Sequence, residues 1–218
     1  MTTLTLPPPL APRAAAREQR PTGYSPEDLL IMLDGERYEL VNGQLQEKPM
    51  SGLSSWVGAE VVRRLGNFVV EHDLGWVFGS DAGFQCFPES PNKVRKPDAS
   101  FVAKHKLPGG PGDGHLRVAP DLAVEVASPN DSLRDTDQKV EEYLAAGVRS
   151  VWLINPTVRV VQVIRSTGPI QRLHDSNELT EPDVLPGFSC HVRDLLPPAT
   201  STTPESMPSD VSQVTEPS

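Results

Sequence analysis

The segment Asp121–Ile154 constrains the fold more than any other part of the chain. Leu122-Ala123-Val124-Glu125-Val126-Ala127 is a short, nearly continuous apolar run, and Ser128-Pro129-Asn130-Asp131 punctuates it. A helical stretch follows over Leu133–Ala146 and stops at Gly147, and Val151-Trp152-Leu153-Ile154 is a second apolar run. Strand, capped helix and strand in that order predict a βαβ unit with its strands buried in a sheet. One residue breaks the pattern. Strand side chains alternate, so Leu122, Val124 and Val126 face one way, while Ala123 and Glu125 face the other. A carboxylate in the middle of such a strand is costly to bury unless it has a partner. The spacing admits a solvated sheet face, an internal ion pair, or a functional acid.

Lys139 is the candidate partner. The helix packs back along the strand that precedes it. Glu125 lies roughly 10 Å before the strand's end, and Lys139 lies roughly 10 Å into the helix. The two therefore sit at one level. Lys139 on a solvated helix face with Asp135 and Glu142 as neighbours is the bland alternative.

Upstream, Ser25-Pro26-Glu27-Asp28 starts a helix running to about Leu33. Arg37–Val41 and Gln44–Glu47 alternate polar and apolar around Asn42-Gly43, the strongest short hairpin signal. Trp56–Glu71 is helical, with Val57, Val61, Leu65 and Phe68 as its buried stripe. Short strands are expected at Trp76–Phe78, Gly83–Phe87 and Ala99–Val102, and an exposed Gly/Pro-rich loop over Lys104–Pro120. Val158–Ile164 is a further strand, hairpinned across Asn155-Pro156. This order predicts an α/β fold: a mixed β-sheet flanked by helices, with an N-terminal helix and hairpin. The domain should span residues 24–196. Residues 1–23 and 197–218, rich in Pro, Ser and Thr, read as disordered tails.

Prolines interrupt the N-terminus, so it does not read as a signal peptide, and no stretch is long enough to cross a bilayer. A cytoplasmic protein is expected, with Cys86 and Cys190 as reduced, buried thiols. The net charge of −9 argues against binding nucleic acid by overall charge. Local distribution is more permissive. Lys93, Arg95 and Lys96 precede Asp98, Lys104, His105 and Lys106 follow its strand, and Arg117 and Arg134 flank the Glu125 segment. They are candidates for a basic rim or for ordinary solubilising charge. His105 and His115 are expected to be loop histidines rather than a metal pair.

Two Pro-Asp pairs, Pro97-Asp98 and Pro120-Asp121, each open an expected strand. Two carboxylates and a lysine at one sheet edge suit metal-dependent phosphodiester hydrolysis, because Mg²⁺ binds through one or two acids and keeps several waters. With these pieces the chain resembles the Uma2 family of endonucleases, within the PD-(D/E)XK superfamily. The matching segments are Tyr38–Gly43, Pro97–Val102, Pro120–Pro129 and Lys139–Pro156, in the family's order across about residues 24–196.

The resemblance implies a restriction endonuclease-like core and a Mg²⁺-dependent endonuclease acting on DNA, with Mn²⁺ as a substitute metal. It implies Asp98 and Glu125 as catalytic acids and metal ligands, with the Val126 carbonyl as a further ligand. The superfamily's usual lysine position holds Ala127, and Lys139 from the next helix stands in for it. Glu39 in the hairpin also matches a family position, which implies a place in the acidic cluster; the alternative is a hairpin surface residue. Asp121 is the rival to Asp98, but it lies roughly 13 Å from Glu125 along one strand. Many relatives carry a histidine where this chain has Ser54. A homodimer is expected by analogy with small nucleases that cut both strands. The competing expectations are a catalytically inactive nucleic-acid-binding relative, and an interaction module whose acid–lysine cluster is structural.

Overall fold

The structure is a computed structural model that describes residues 23–49, 51–129 and 131–199. The expected tails fall outside these residues, except Gly23 and 197–199. Pro197 is anchored, its carbonyl accepting from Arg159 Nη1 at 2.9 Å.

The N-terminal helix α1 (Pro26–Ile31) is capped by Ser25, which exchanges bonds with Asp28. It ends two residues sooner than expected, because the backbone turns extended at Met32, with ψ 144°. The hairpin forms as anticipated. Strands β1 (Tyr38–Val41) and β2 (Gln44–Glu47) flank Asn42 and Gly43, whose φ values of 52° and 76° suit the turn.

Helix α2 (Gly52–Glu71) starts four residues before the expected Trp56. Ser51 and Ser54 form its capping box, which extends the helix through weak helix formers. Val57, Val61 and Leu65 are fully buried, and Val69 rather than Phe68 continues the stripe.

Six strands form the main sheet: β3 (Gly75–Gly79), β4 (Ala99–Ala103), β5 (Leu122–Val126), β6 (Ser150–Asn155), β7 (Val160–Arg165) and β8 (Gln171–His174). They lie side by side in that order. Only β5 and β6 run parallel, and helix α3 (Leu133–Ala145) connects them. A separate hairpin, β9 (Glu178–Glu181) and β10 (Leu185–His191), follows.

The sheet has two covered faces. On one, α2 and the β9–β10 hairpin pack against Phe101, Leu122, Val124, Trp152 and Ile154. On the other, α3 places Val140 and Tyr143 against Ala123 and Val151. The alternation read from the sequence therefore holds, and Glu125 points to the α3 face.

Two expectations fail. Gly83–Phe87 is not a strand and makes only single bridges from Phe84 to Arg95 and Leu116. A Cβ at Gly83 would lie 2.3 Å from His115 Nδ1, so the backbone is threaded through packed side chains there rather than paired in a ladder. The Lys104–Pro120 segment is also less exposed than expected. Leu116 is buried, and the His115 Nε2–Pro26 carbonyl pair, at 3.0 Å, ties the loop to α1.

Candidate active site

Glu125 sits mid-strand in β5, and α3 supplies both of its partners. Tyr143 donates its phenol to Glu125 Oε1 at 2.7 Å. The Lys139 ammonium lies 3.4 Å from Glu125 Oε2. Lys139 and Tyr143 are one helical turn apart, so a single face of α3 addresses both carboxylate oxygens. The equal-level argument for Glu125 and Lys139 is met by direct contact.

Glu39 reaches the same point from β1. Leu40 and Val94 exchange backbone hydrogen bonds of 2.9 Å, which brings the segment Val94–Lys96 alongside β1. Glu39 then accepts from Arg95 Nη1 at 2.9 Å and from the Lys96 N–H at 2.8 Å. Lys139 Nζ lies 3.2 Å from Glu39 Oε2, so one ammonium serves two buried carboxylates.

Asp98, just before β4, accepts the Val126 N–H on Oδ2 at 2.8 Å. In an extended strand the N–H and C=O of one residue share an edge, so the Val126 carbonyl projects toward the same side as Asp98. Asp98 Oδ1 lies 3.3 Å from Lys48 Nζ.

The structure thus brings together Glu39, Glu125 and Lys139, and joins Asp98 to them through Val126 and Lys48. Asp121 is kept out. It is buried elsewhere, accepting from the Ala103 N–H at 2.9 Å and pairing with Lys106 at 3.0 Å. Ser54 takes part in capping α2. His105 is exposed and His115 is bonded to α1. Cys86 and Cys190 are free thiols, and burial pushes them up to about 12 and about 11.

The basic rim expected from Lys93, Arg95 and Lys96 is not there. These residues are 8%, 3% and 3% exposed. Lys93 pairs with Glu142 at 2.7 Å, Arg95 bridges Glu39 and Glu142, and Lys96 Nζ donates to the Gly35 carbonyl at 2.7 Å. For Lys93 and Arg95 the reason is local charge pairing with Glu142 and Glu39, whereas Lys96 is held by a neutral carbonyl. Of the other rim candidates, Lys104 pairs with Asp73, Lys106 with Asp121, and Arg117 with Glu27.

Sequence reasoning also missed two site residues. Tyr143 carried a signal, since it lies one turn from Lys139 on the same helix face. Lys48 carried none, because its position depends on how the hairpin docks.

The electrostatics are uneven. Burial pushes Glu39 upward, but Lys139, Arg95 and the Lys96 N–H outweigh it and hold Glu39 below its ordinary range. Burial pushes Glu125 upward, Asp98 and Glu39 add to that, and Lys139 opposes it without prevailing. Lys139 is disfavoured by burial yet held above the usual lysine range by Glu125 and Glu39.

A cleft of about 480 Å³ opens beside this cluster, lined by Glu39, Lys48, Glu125, Val126 and Lys139 and by the first turns of α3. Asp98 is not among the lining residues, and its side chain is part-exposed, beside Lys48 at the cleft's edge. Among the described residues, no three His, Cys, Asp or Glu side chains converge closely enough to hold a metal ion unaided. The donor set nevertheless fits Mg²⁺, which needs only one or two carboxylates besides waters. Asp98 and Glu125 supply hard oxygens, Val126 a carbonyl, and each carboxylate already faces a cationic nitrogen.

The Uma2 family, described as "Putative restriction endonuclease", matches residues 26–193. A search of curated proteins gave no match. Among solved structures, the chain is similar to a "putative nuclease belonging to DUF820" from Anabaena variabilis. The TM-score is 0.66 at 21% identity, covering 78% of this chain and 96% of that one. This likeness is one of fold, and it agrees with the mixed sheet and flanking helices expected of a restriction endonuclease-like core. The chain belongs to the Uma2 family.

Proposed function

We propose that this protein is a Mg²⁺-dependent endonuclease that hydrolyses phosphodiester bonds in DNA, with Mn²⁺ able to replace Mg²⁺. The observation that carries the proposal is Glu125: a carboxylate on the wall of a cleft, raised by burial and by two neighbouring acids, and short of positive charge. That is the condition of a cation site before it fills.

In this reading Asp98, Glu125 and the Val126 carbonyl hold the metal. When bound, the metal supplies a water of lowered pKa and offsets charge on the phosphate. Lys139 acts as a fixed ammonium that orients the attacking water and stabilises charge developing on the phosphate oxygens. Glu39 and Arg95 position Lys139, while Tyr143 fixes the rotation of Glu125. A homodimer that cuts both strands, and a cytoplasmic setting, belong to the same proposal. No helix among the described residues is long and apolar enough to cross a membrane.

A second reading has its own support. The interior pairing of Lys93, Arg95 and Lys96 takes these three residues out of the expected phosphate-binding rim. An inactive nucleic-acid-binding relative or a structural ion network would show the same pairs. Incubation with supercoiled plasmid in Mg²⁺, Mn²⁺ or EDTA separates the readings. The expected result is metal-dependent nicking that falls at least about 100-fold in Asp98→Ala and Glu125→Ala, beyond what loss of an outer partner costs. Nicking that survives in both variants would overturn the site assignment. Absence of both nicking and metal binding would favour the second reading.

A further inference from the structure

Lys48 follows β2 and lines the cleft, and its side chain is 9% exposed. An ammonium has three donors, and here each has a partner. Nζ lies 2.7 Å from the Lys96 carbonyl, 3.1 Å from the Ser80 carbonyl and 3.3 Å from Asp98 Oδ1. The contact with Asp98 is the longest of the three. The two carbonyls tether the ammonium to the loop after β3 and to the segment leading into β4. Lys48 would therefore stay in place if Asp98 released it.

Lys139 is held differently, by the carboxylates of Glu39 and Glu125 at 3.2 and 3.4 Å. The two lysines divide the cluster. Lys139 is shared between acids, whereas Lys48 is a positive charge fixed to the backbone beside one acid. Asp98 Oδ2 accepts the Val126 N–H, and Oδ1 is the oxygen that faces Lys48 and no other donor in hydrogen-bond reach among the described residues. Lys48 occupies that oxygen.

We propose that Lys48 is a built-in competitor for the divalent cation at Asp98. It neutralises the carboxylate until a divalent cation displaces the contact, and so sets the cation concentration at which the site fills. The inference rests on Asp98 being a cation ligand, as proposed above. A unit charge at this range costs a second cation on the order of tenfold in affinity. Removing it should tighten cation binding on the order of tenfold or more.

The test is calorimetric titration of Mn²⁺ into wild type, Lys48→Gln, Lys48→Met and Lys48→Gln/Asp98→Asn. Thermal unfolding of each confirms that it is folded. Gln keeps a donor for the two carbonyls without the charge, so it guards against a folding defect in Lys48→Met. The expected result is Mn²⁺ binding about tenfold tighter in Lys48→Gln than in wild type, lost again in the double variant. Unchanged or weaker binding in a folded Lys48→Gln overturns the proposal and leaves Lys48 as a structural clip. Tightening that survives Asp98→Asn also overturns it, because the cation would then be bound elsewhere. If no protein binds Mn²⁺ in an Asp98-dependent way, the cation site itself is wrong and the competitor falls with it.

Discussion

Glu125 and Glu181 are buried carboxylates on opposite sides of one sheet, and their surroundings differ in kind. Glu181, in β9, is fully buried. Oε2 accepts from Ser150 Oγ at 2.7 Å and Trp152 Nε1 at 2.9 Å, and Oε1 accepts from Arg165 Nη2 at 2.8 Å. One acid meets one guanidinium and two neutral donors, and it is closed off from solvent. Glu125 has one neutral donor and a lysine that it shares with Glu39, and it faces a cleft. Burial of a carboxylate is therefore a poor sign of function by itself. The informative features are a charge left incompletely balanced and space beside it for a ligand.

The largest effect expected from this contrast is on stability. Glu181→Gln removes the charged acceptor of Arg165 and should cost about 2 kcal/mol in denaturant unfolding. Glu125→Gln keeps an acceptor for Tyr143 and relieves repulsion among three acids, so its change should stay within about 1 kcal/mol. Equal losses would remove the distinction between a closed pair and an open site.

Tyr143→Phe tests the open site from its supporting side. Deleting the phenol leaves Glu125 Oε1 without its donor and should cost about 1 kcal/mol of stability. If Tyr143 positions a ligand, Mn²⁺ affinity should also fall about tenfold, as for other outer partners of metal ligands. A stability loss with unchanged Mn²⁺ affinity would reduce Tyr143 to a packing role.

The narrowest effect is confined to acid pH. Burial pushes Glu142 upward, but hydrogen bonds from Arg95, Lys93 and Gln138 outweigh it and bring it down to about 2. A folded value below the ordinary 4.5 stabilises the fold above that pH, and the contribution is lost as pH falls from about 4.5 through about 2. Glu142→Gln should flatten this part of the stability profile. An unchanged acid limb would show that Glu142 does not support Arg95, and through it Glu39.

Much of the architecture was legible because its signals are local. Asn42-Gly43 requires positive φ and formed the hairpin turn. Alternation in Leu122–Val126 assigned Glu125 to a face, and the rise per residue in strand and helix placed Lys139 beside it. Gly83–Phe87 misled because most of its residues are buried as a strand's would be, yet they make single bridges rather than a ladder. Val57, Val61 and Leu65 were readable from periodicity, whereas the true start of α2 depended on the Ser51–Ser54 cap.

The elements, their order, the face that Glu125 occupies and the family motifs could all be read along the chain, since each signal lies within residues a few positions apart. Which charges meet could not. Lys93, Arg95 and Lys96 turned inward, Asp121 was tied to Lys106, and Lys48 came to Asp98 across 50 residues of chain. Charge pairing depends on which segments dock and how much water they exclude, and neither is encoded in local periodicity.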